Sequence, residues 1–438
     1  MKIRNFILAI SVLCIGLQSL NAQLDRSKAP QPGPAPSIQL GSYESFKLKN
    51  GMQVYVVENH KLPTLAVSIR LDVDPALEGE KTGLTELLGD LIMSGTNNRT
   101  KNQLDEEIDF IGAGLNVGAG GAYDYSLSKH RDKLFELMSD VVLNPAFPTE
   151  ELERIRRQYI SGLQASLDEP SSIASNMAAV ANFGRNHPYG EIPTEKTYGA
   201  VDVAGIQAYY KEVFTPRAAY MAIVGDITKS EAEALVNKYF GTWSGDKAPK
   251  RKLNDVQPPA TSQVYIHDRS SSVQSTIRLT YPIDFTPGSD DRIAVSVLSN
   301  ILGGGSTGRL YKNLRETHGF TYGAYCTFSP DRVKGEVTIS ADVRTEVTDS
   351  AVLEMVKEMN RIVSQPITEE ELAGTKAEMT GSFARSLEDP ETIARFAINS
   401  AIYGLPSDYY QSYLQKLNAL TISDIKAVAQ KYVKPYSF

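Results

Sequence analysis

The sequence predicts an α+β protein made of two copies of one fold, and three observations carry that prediction. Short runs alternate apolar and polar residues between turn residues, the pattern of half-buried strands. Longer runs repeat their apolar residues at helical spacing and carry cap residues at their starts. Finally, residues 150–174 align without a gap, offset by 220 residues, with residues 370–394. Both stretches open on Glu-Glu-Leu, close a long helix with Ser-Leu, two acidic residues and Pro, and continue to Ile-Ala, so one unit is present twice.

The chain has 438 residues, enough for more than one core. Lys2 and Arg4, the apolar residues 6–17 and the Leu20-Asn21-Ala22 step read as a secretory signal, residues 1–22, cleaved before Gln23. Its apolar run is shorter than the roughly 20 residues of a membrane anchor. Cleavage removes two positive charges and no negative ones, taking the net charge from −7 to −9, which argues against nucleic acid as a partner. Cys14 leaves with the signal and only Cys326 remains, so no internal disulfide supports the exported chain. The expected location is the periplasm or another extracytoplasmic space, with no membrane span after signal removal.

Residues 23–41 form a proline-rich linker, since the prolines between 30 and 36 suit neither helix nor sheet. The amino-terminal domain is expected over residues 42–245. Phe46, Leu48, Met52, Val54 and Val56 alternate around Asn50-Gly51, a hairpin signature, and residues 65–73 alternate again. Helices are expected after Gly83, over residues 101–110 and from Thr149. Residues 246–262 make a basic, proline-rich linker, and residues 263–438 the second domain. In the first copy Pro216 leads into the apolar strand 220–226. The second copy reaches Phe438 three residues after Pro435, so its last strand is expected to be missing, or its sheet to end differently.

Residues 83–96 read Gly-Leu-Thr-Glu-Leu-Leu-Gly-Asp-Leu-Ile-Met-Ser-Gly-Thr. This run resembles the zinc-binding helix of the pitrilysin/insulinase family of metallopeptidases, where H-x-x-E-H stands between Gly-Leu and Gly-Thr. In that family the two histidines bind zinc, the Glu is general base, and a Glu on a later helix is the third ligand. Here the three positions are Glu86, Gly89 and Asp90, and the later one falls near Gly162. Glu86 and Asp90 keep the i, i+4 spacing that lets two side chains meet one ion, but carboxylates are hard ligands that do not favour zinc. They are read as solvated helix-face residues, with a hard-cation site or a role in a shared chamber left open. Gly89 has no side chain to move a proton. His60, His130, His187, His267 and His318 lie too far apart for any local two-histidine motif. No metal or cofactor is expected on this chain.

Residues 302–322 read Leu-Gly-Gly-Gly-Ser-Thr-Gly-Arg-Leu-Tyr-Lys-Asn-Leu-Arg-Glu-Thr-His-Gly-Phe-Thr-Tyr. They resemble the family's carboxy-terminal domain, in which a glycine loop, here Gly303, Gly304 and Gly305, precedes a helix bearing an Arg, with a Tyr seven residues on. Those positions are Arg315 and Tyr322, which the resemblance implies hydrogen-bond the substrate near its scissile carbonyl. Gly319 should end the helix and place Tyr322 at the start of a strand. The loop lacks the Gly-Lys-Ser/Thr ending of a nucleotide loop. Residues 111–126 resemble the family's edge strand, along which an extended peptide lies as an added strand, with extra glycines that would make side-chain pockets shallow.

The resemblance covers residues 42–438. It implies two α+β domains, each a mostly antiparallel sheet with helices packed on one face, forming half of a clam-shaped chamber. It also implies pairing with a zinc-bearing homologous subunit, so the expected function is a non-catalytic, substrate-binding subunit of an exported heteromeric peptidase. An inactive scaffold or peptide-binding homologue with no proteolytic role is the alternative.

Overall fold

The computed structural model describes residues 40–435 and Phe438. The expected signal and, apart from its last two residues, the linker 23–41 lie outside the described residues. Residues from Leu40 onward form one compact unit.

The first half carries β1 (Glu44–Lys47), β2 (Gln53–Glu58), β3 (Thr64–Leu71), β4 (Asn116–Gly118), β5 (Gly121–Leu127) and β6 (Ala219–Gly225) in one sheet of order β1-β2-β6-β3-β5-β4. Every pairing is antiparallel except the central β2–β6 pair. That explains β2, whose run of Val54, Tyr55, Val56 and Val57 is buried on both faces. The alternating β3 buries every second residue of Leu65, Val67, Ile69 and Leu71. At the β1–β2 turn Gly51 adopts a positive φ of 103°, and the Asn50 amide donates to the carbonyls of Phe240 and Trp243. The hairpin residues therefore also pin the end of a distant helix.

The first-half helices are α1 (Leu84–Ile92), α2 (Lys101–Ile111), α3 (Arg131–Leu143), α4 (Thr149–Ser166), α5 (Pro170–Phe183), α6 (Glu195–Ala200), α7 (Val203–Val213) and α8 (Lys229–Phe240). Leu87, Leu88 and Leu91 of α1 and Phe135 of α3 join the inward residues of the strands in one core. Residues 242–273 have no regular structure, but Arg251 is paired with Glu212 and Asp255 with Lys334, which ties this crossing segment to both halves.

The second half holds β7 (Gln274–Ile283), β8 (Thr321–Ser329) and β9 (Gly335–Arg344) in an antiparallel sheet of order β7-β9-β8. Its helices are α9 (Arg292–Gly303), α10 (Arg309–Tyr311), which runs into a π-helical turn Lys312–Thr317, then α11 (Thr348–Ser364), α12 (Glu369–Ser386), α13 (Glu391–Tyr403), α14 (Tyr413–Ala419) and α15 (Ile422–Tyr432). The paired long helices of the internal repeat are α4 and α12, each ending at the same Ser as its counterpart.

The expectation of helices on one face of each sheet needs one addition. Each sheet receives a helix from the opposite half on its other face. Ile393, Ala394, Ala397 and Ile398 of α13 pack on Tyr55, Val57, Ala222 and Val224. Arg70 donates to Asn399 at 2.7 Å and Tyr403 at 2.6 Å. Reciprocally α5 packs on β7, with Asn182 donating to Thr280 at 2.7 Å. The exchange gives the first sheet a second apolar layer, which a two-sided strand such as β2 requires, whereas the contact of α5 with the second sheet is polar, through Asn182 and Thr280.

Candidate functional site

The helix α1 starts at Gly83, whose φ of 103° is one that L side chains rarely adopt. A Cβ there would collide with the Tyr198 ring, so the glycine is needed both for backbone and for space. The carboxylate of Glu78 accepts from the amides of Gly83, Leu84 and Thr85 at 2.6, 2.8 and 3.1 Å, capping the helix with the charge its dipole favours.

One turn on, Glu86 and Asp90 lie exposed on one face of α1. The Tyr198 hydroxyl donates to the Glu86 carboxylate, and the Tyr159 hydroxyl to the Glu86 carbonyl at 3.4 Å. The two rings meet edge to face, 5.6 Å between centroids. Burial, then the neighbouring Asp90 carboxylate, pushes the Tyr159 phenol up to about 12; burial and Glu86 push Tyr198 higher still. Both phenols therefore stay protonated near neutral pH and act here as hydrogen-bond donors.

Gly89 faces the edge of the first sheet, where a Cβ would stand 3.6 Å from the Gly118 Cα of β4, in ordinary contact. Gly162 lies three residues beyond Tyr159 on α4, with open space where a side chain would project. Zinc does not fit this donor set: one carboxylate is held by a tyrosine, and Gly89 and Gly162 offer no donor atom. Among the described residues no three His, Cys, Asp or Glu side chains converge on a common point.

In the second half the structure brings Arg315 and Tyr322 together. Arg315 sits in the π-helical turn, where His318 donates to Asn313 at 3.1 Å, and Gly319 ends the turn with a φ of 64°. Its guanidinium donates to the Thr321 carbonyl at 3.3 Å and lies 4.6 Å from the Tyr322 ring centroid. A register shift in the β8–β9 ladder between Thr321 and Ala324 marks a bulge at Tyr322, which re-aims the side chain outward from an edge strand. The ring is 81% exposed.

The three glycines before α10 divide by role. Gly303 is buried, and a Cβ on it would collide with the Cys326 backbone, so it serves the packing of α9 on β8 rather than a surface. Gly304 is exposed and Gly305, with φ of 112°, is half-buried. The edge strand expected in residues 111–126 is β4, at the end of the first sheet.

Tyr159, Tyr198 and Glu78 were not legible as site residues. Tyr159 could have been found from its i, i+3 relation to Gly162; Tyr198 carries no local signal.

A duplicated α+β fold with an altered zinc-helix frame in one half and an Arg–Tyr pair in the other defines a peptidase-like protein. The chain belongs to the insulinase family: residues 55–192 match the family described as Insulinase (Peptidase family M16), and residues 200–379 the Peptidase M16 inactive domain. It is similar to an uncharacterised zinc protease, YmxG, of Bacillus subtilis, 22% identical over 394 residues covering 88% of this chain and 94% of that one. An uncharacterised zinc protease of Mycobacterium leprae is 25% identical, over 88% of each chain. Among solved structures, a peptidase M16 inactive domain from Pseudomonas fluorescens superposes with a TM-score of 0.82 at 24% identity, over 90% of this chain and 96% of its own. The periplasmic protease PqqL of Escherichia coli superposes at 0.74 and 15% identity, over 96% of this chain and 49% of that one.

Proposed function

We propose that this chain is a non-catalytic, peptide-holding subunit of an exported heteromeric zinc peptidase. A zinc-bearing homologous partner activates the water, and this chain supplies Arg315 and Tyr322 to an extended peptide. The observation that carries the reading is the contrast between the two halves. The helix that would hold an ion has a carboxylate engaged by Tyr198 and Gly89 in place of a base, and α4 offers only Gly162 facing it, whereas Arg315 and Tyr322 form an assembled, outward-facing donor pair. Such donors favour the charge that builds on a carbonyl oxygen under attack. The partial length match to PqqL, a periplasmic protease about twice as long, supports an arrangement in which a second such unit completes the enzyme.

The test is co-purification and reconstitution. This chain alone should leave an extended peptide intact and carry no stoichiometric zinc; mixed with a homologue bearing H-x-x-E-H it should raise that homologue's cleavage rate. A stable homodimer that binds neither the homologue nor peptide would replace this reading with that of a scaffold.

A further inference from the structure

The helix α13 lies across β2 and β6 on the outer face of the first sheet and leaves a trench beside it, over β3 and β5. The sheet surface there is made of small side chains. Ser68 of β3 pairs with Ala222 of β6, and Ala66 with Val224. Tyr123, opposite Ser68 on β5, closes the far side by reaching over to α13. A cavity of about 280 Å³ remains between sheet and helix. That is just under the size of pockets that take drug-sized ligands, and it suits a smaller metabolite.

The charged groups that line this cavity are unpaired. On α13, Glu391 and Arg395 stand four residues apart, acid first, the order in which an intrahelical ion pair forms most readily. They do not pair. Glu391 accepts from the Tyr123 hydroxyl at 3.1 Å, and Arg395 donates to the Thr392 hydroxyl at 3.0 Å. Arg70 of β3 is half-buried and donates only to neutral groups, Asn399 and Tyr403, further along the same row of α13. A cation withdrawn from water is stabilised by an anion, and among the described residues neither guanidinium has one. Asp389 accepts from the Glu391 amide at 2.9 Å and adds a second carboxylate at that end. The cavity is therefore negative where α13 begins and positive one turn later, about 6 Å along the helix axis. Its floor of Ala66, Ala222 and Val224 is apolar.

We propose that this cavity binds a free aliphatic α-amino acid. Arg70 and Arg395 take its carboxylate, a match for the guanidinium fork, and Glu391 accepts from its ammonium. Its side chain lies on the apolar floor. A free amino acid carries both charges on neighbouring atoms, so one molecule meets both ends of a cavity this short; either end of a peptide carries only one of them. Because α13 belongs to the second half and β3 and β6 to the first, the ligand joins the two halves across their seam and stabilises the fold by mass action. Neither Arg315 nor Tyr322 lines the cavity, so the assignment does not depend on the peptide-holding role.

Isothermal titration of the whole chain with L-leucine tests this. One molecule should bind per chain. Binding should weaken at least about tenfold for N-acetyl-L-leucine, which lacks the ammonium, for L-leucinamide, which lacks the carboxylate, and for glycine, which lacks the side chain. It should weaken as much in Arg395→Gln and in Glu391→Gln, whose melting temperatures without ligand stay within about 2 °C of the parent because neither side chain is buried. No saturable binding of L-leucine below about 10 mM overturns the proposal, as does undiminished binding by both variants. Tighter binding of N-acetyl-L-leucine or Ala-Leu than of L-leucine also overturns it, and assigns the cavity to the carboxyl end of a peptide. The titration needs no partner subunit, so its failure leaves the peptide-holding reading untouched.

Discussion

Arg315 lies over the Tyr322 ring, 4.6 Å from its centroid, while that ring stands 81% exposed at a bulge in β8. Tyr322→Phe removes only the hydroxyl, and Arg315→Ala removes a partly exposed side chain with one long hydrogen bond to the Thr321 carbonyl, so both variants should melt within about 2 °C of the parent. In the reconstituted assembly each should lower kcat by roughly 100-fold, the scale of a lost oxyanion donor. Unchanged turnover with either variant removes the pair from the reaction.

Gly83→Ala should destabilise the fold by about 2–4 kcal/mol, because the backbone φ of 103° and the Tyr198 ring both oppose a Cβ. Tyr198→Ala relieves the collision but leaves the backbone strain. In a double-mutant cycle the pair should therefore cost less than the sum of the singles. Denaturant melts of the four proteins measure it, and strict additivity would show that the ring does not limit the position.

The features readable from sequence were those that act locally. Asn50-Gly51 gave its hairpin, the apolar spacing after Gly83 its helix, and Gly319 its helix stop, since each depends on residues a few positions apart. The repeat exposed the duplication because α4 and α12 keep one register. What stayed hidden was long-range: Tyr198 reaches Glu86, and α13 crosses to β2 and β6, through packing that leaves no periodic trace in either segment. Gly303 looked like part of a surface loop, because a glycine needed for close packing and one needed for a loop are the same letter.

Asp124 is fully buried on β5, on the inward face shared with Ala122 and Ser126, and the amides of Tyr125 and Gly114 lie near its carboxylate without well-formed hydrogen bonds to either oxygen. Burial pushes its carboxyl up to about 7, with the amides of Tyr125 and Gly114 holding the shift back. The folded state therefore holds a proton that the unfolded chain releases near pH 4. The stability this group contributes is fully present below about pH 4 and is lost as pH rises towards 7, at roughly 1.4 kcal/mol per unit. Asp124→Asn should leave the unfolding free energy at pH 4 almost unchanged and raise it by a few kcal/mol at pH 8. Parallel pH profiles for the two proteins would show that Asp124 finds a partner in solution.

Arg309 and Glu371 form the opposite case, a buried cation paired with a carboxylate, although Arg309 Nη1 has no partner among the described residues. Arg309 Nε and Nη2 donate to the two Glu371 oxygens at 2.7 and 2.9 Å, and Glu371 also accepts from the Thr368 amide at 2.8 Å to cap α12. The Arg309 guanidinium first, then the Thr368 amide, draws the Glu371 carboxyl down to about 2 against the desolvation that opposes it. Its contribution is present above about pH 4.5 and is lost as pH falls towards 2. Glu371→Gln leaves a nearly buried cation unpaired and should cost about 3–5 kcal/mol. Arg309→Met with Glu371→Leu removes both charges together and should cost less than that single change. Because Arg309 stands between the glycine loop and the turn bearing Arg315, the single variant should also lower turnover in the assembly at temperatures where it remains folded. Urea titrations at pH 7 rank the three proteins, and a double variant weaker than Glu371→Gln would mean that the pair contributes net stability rather than position.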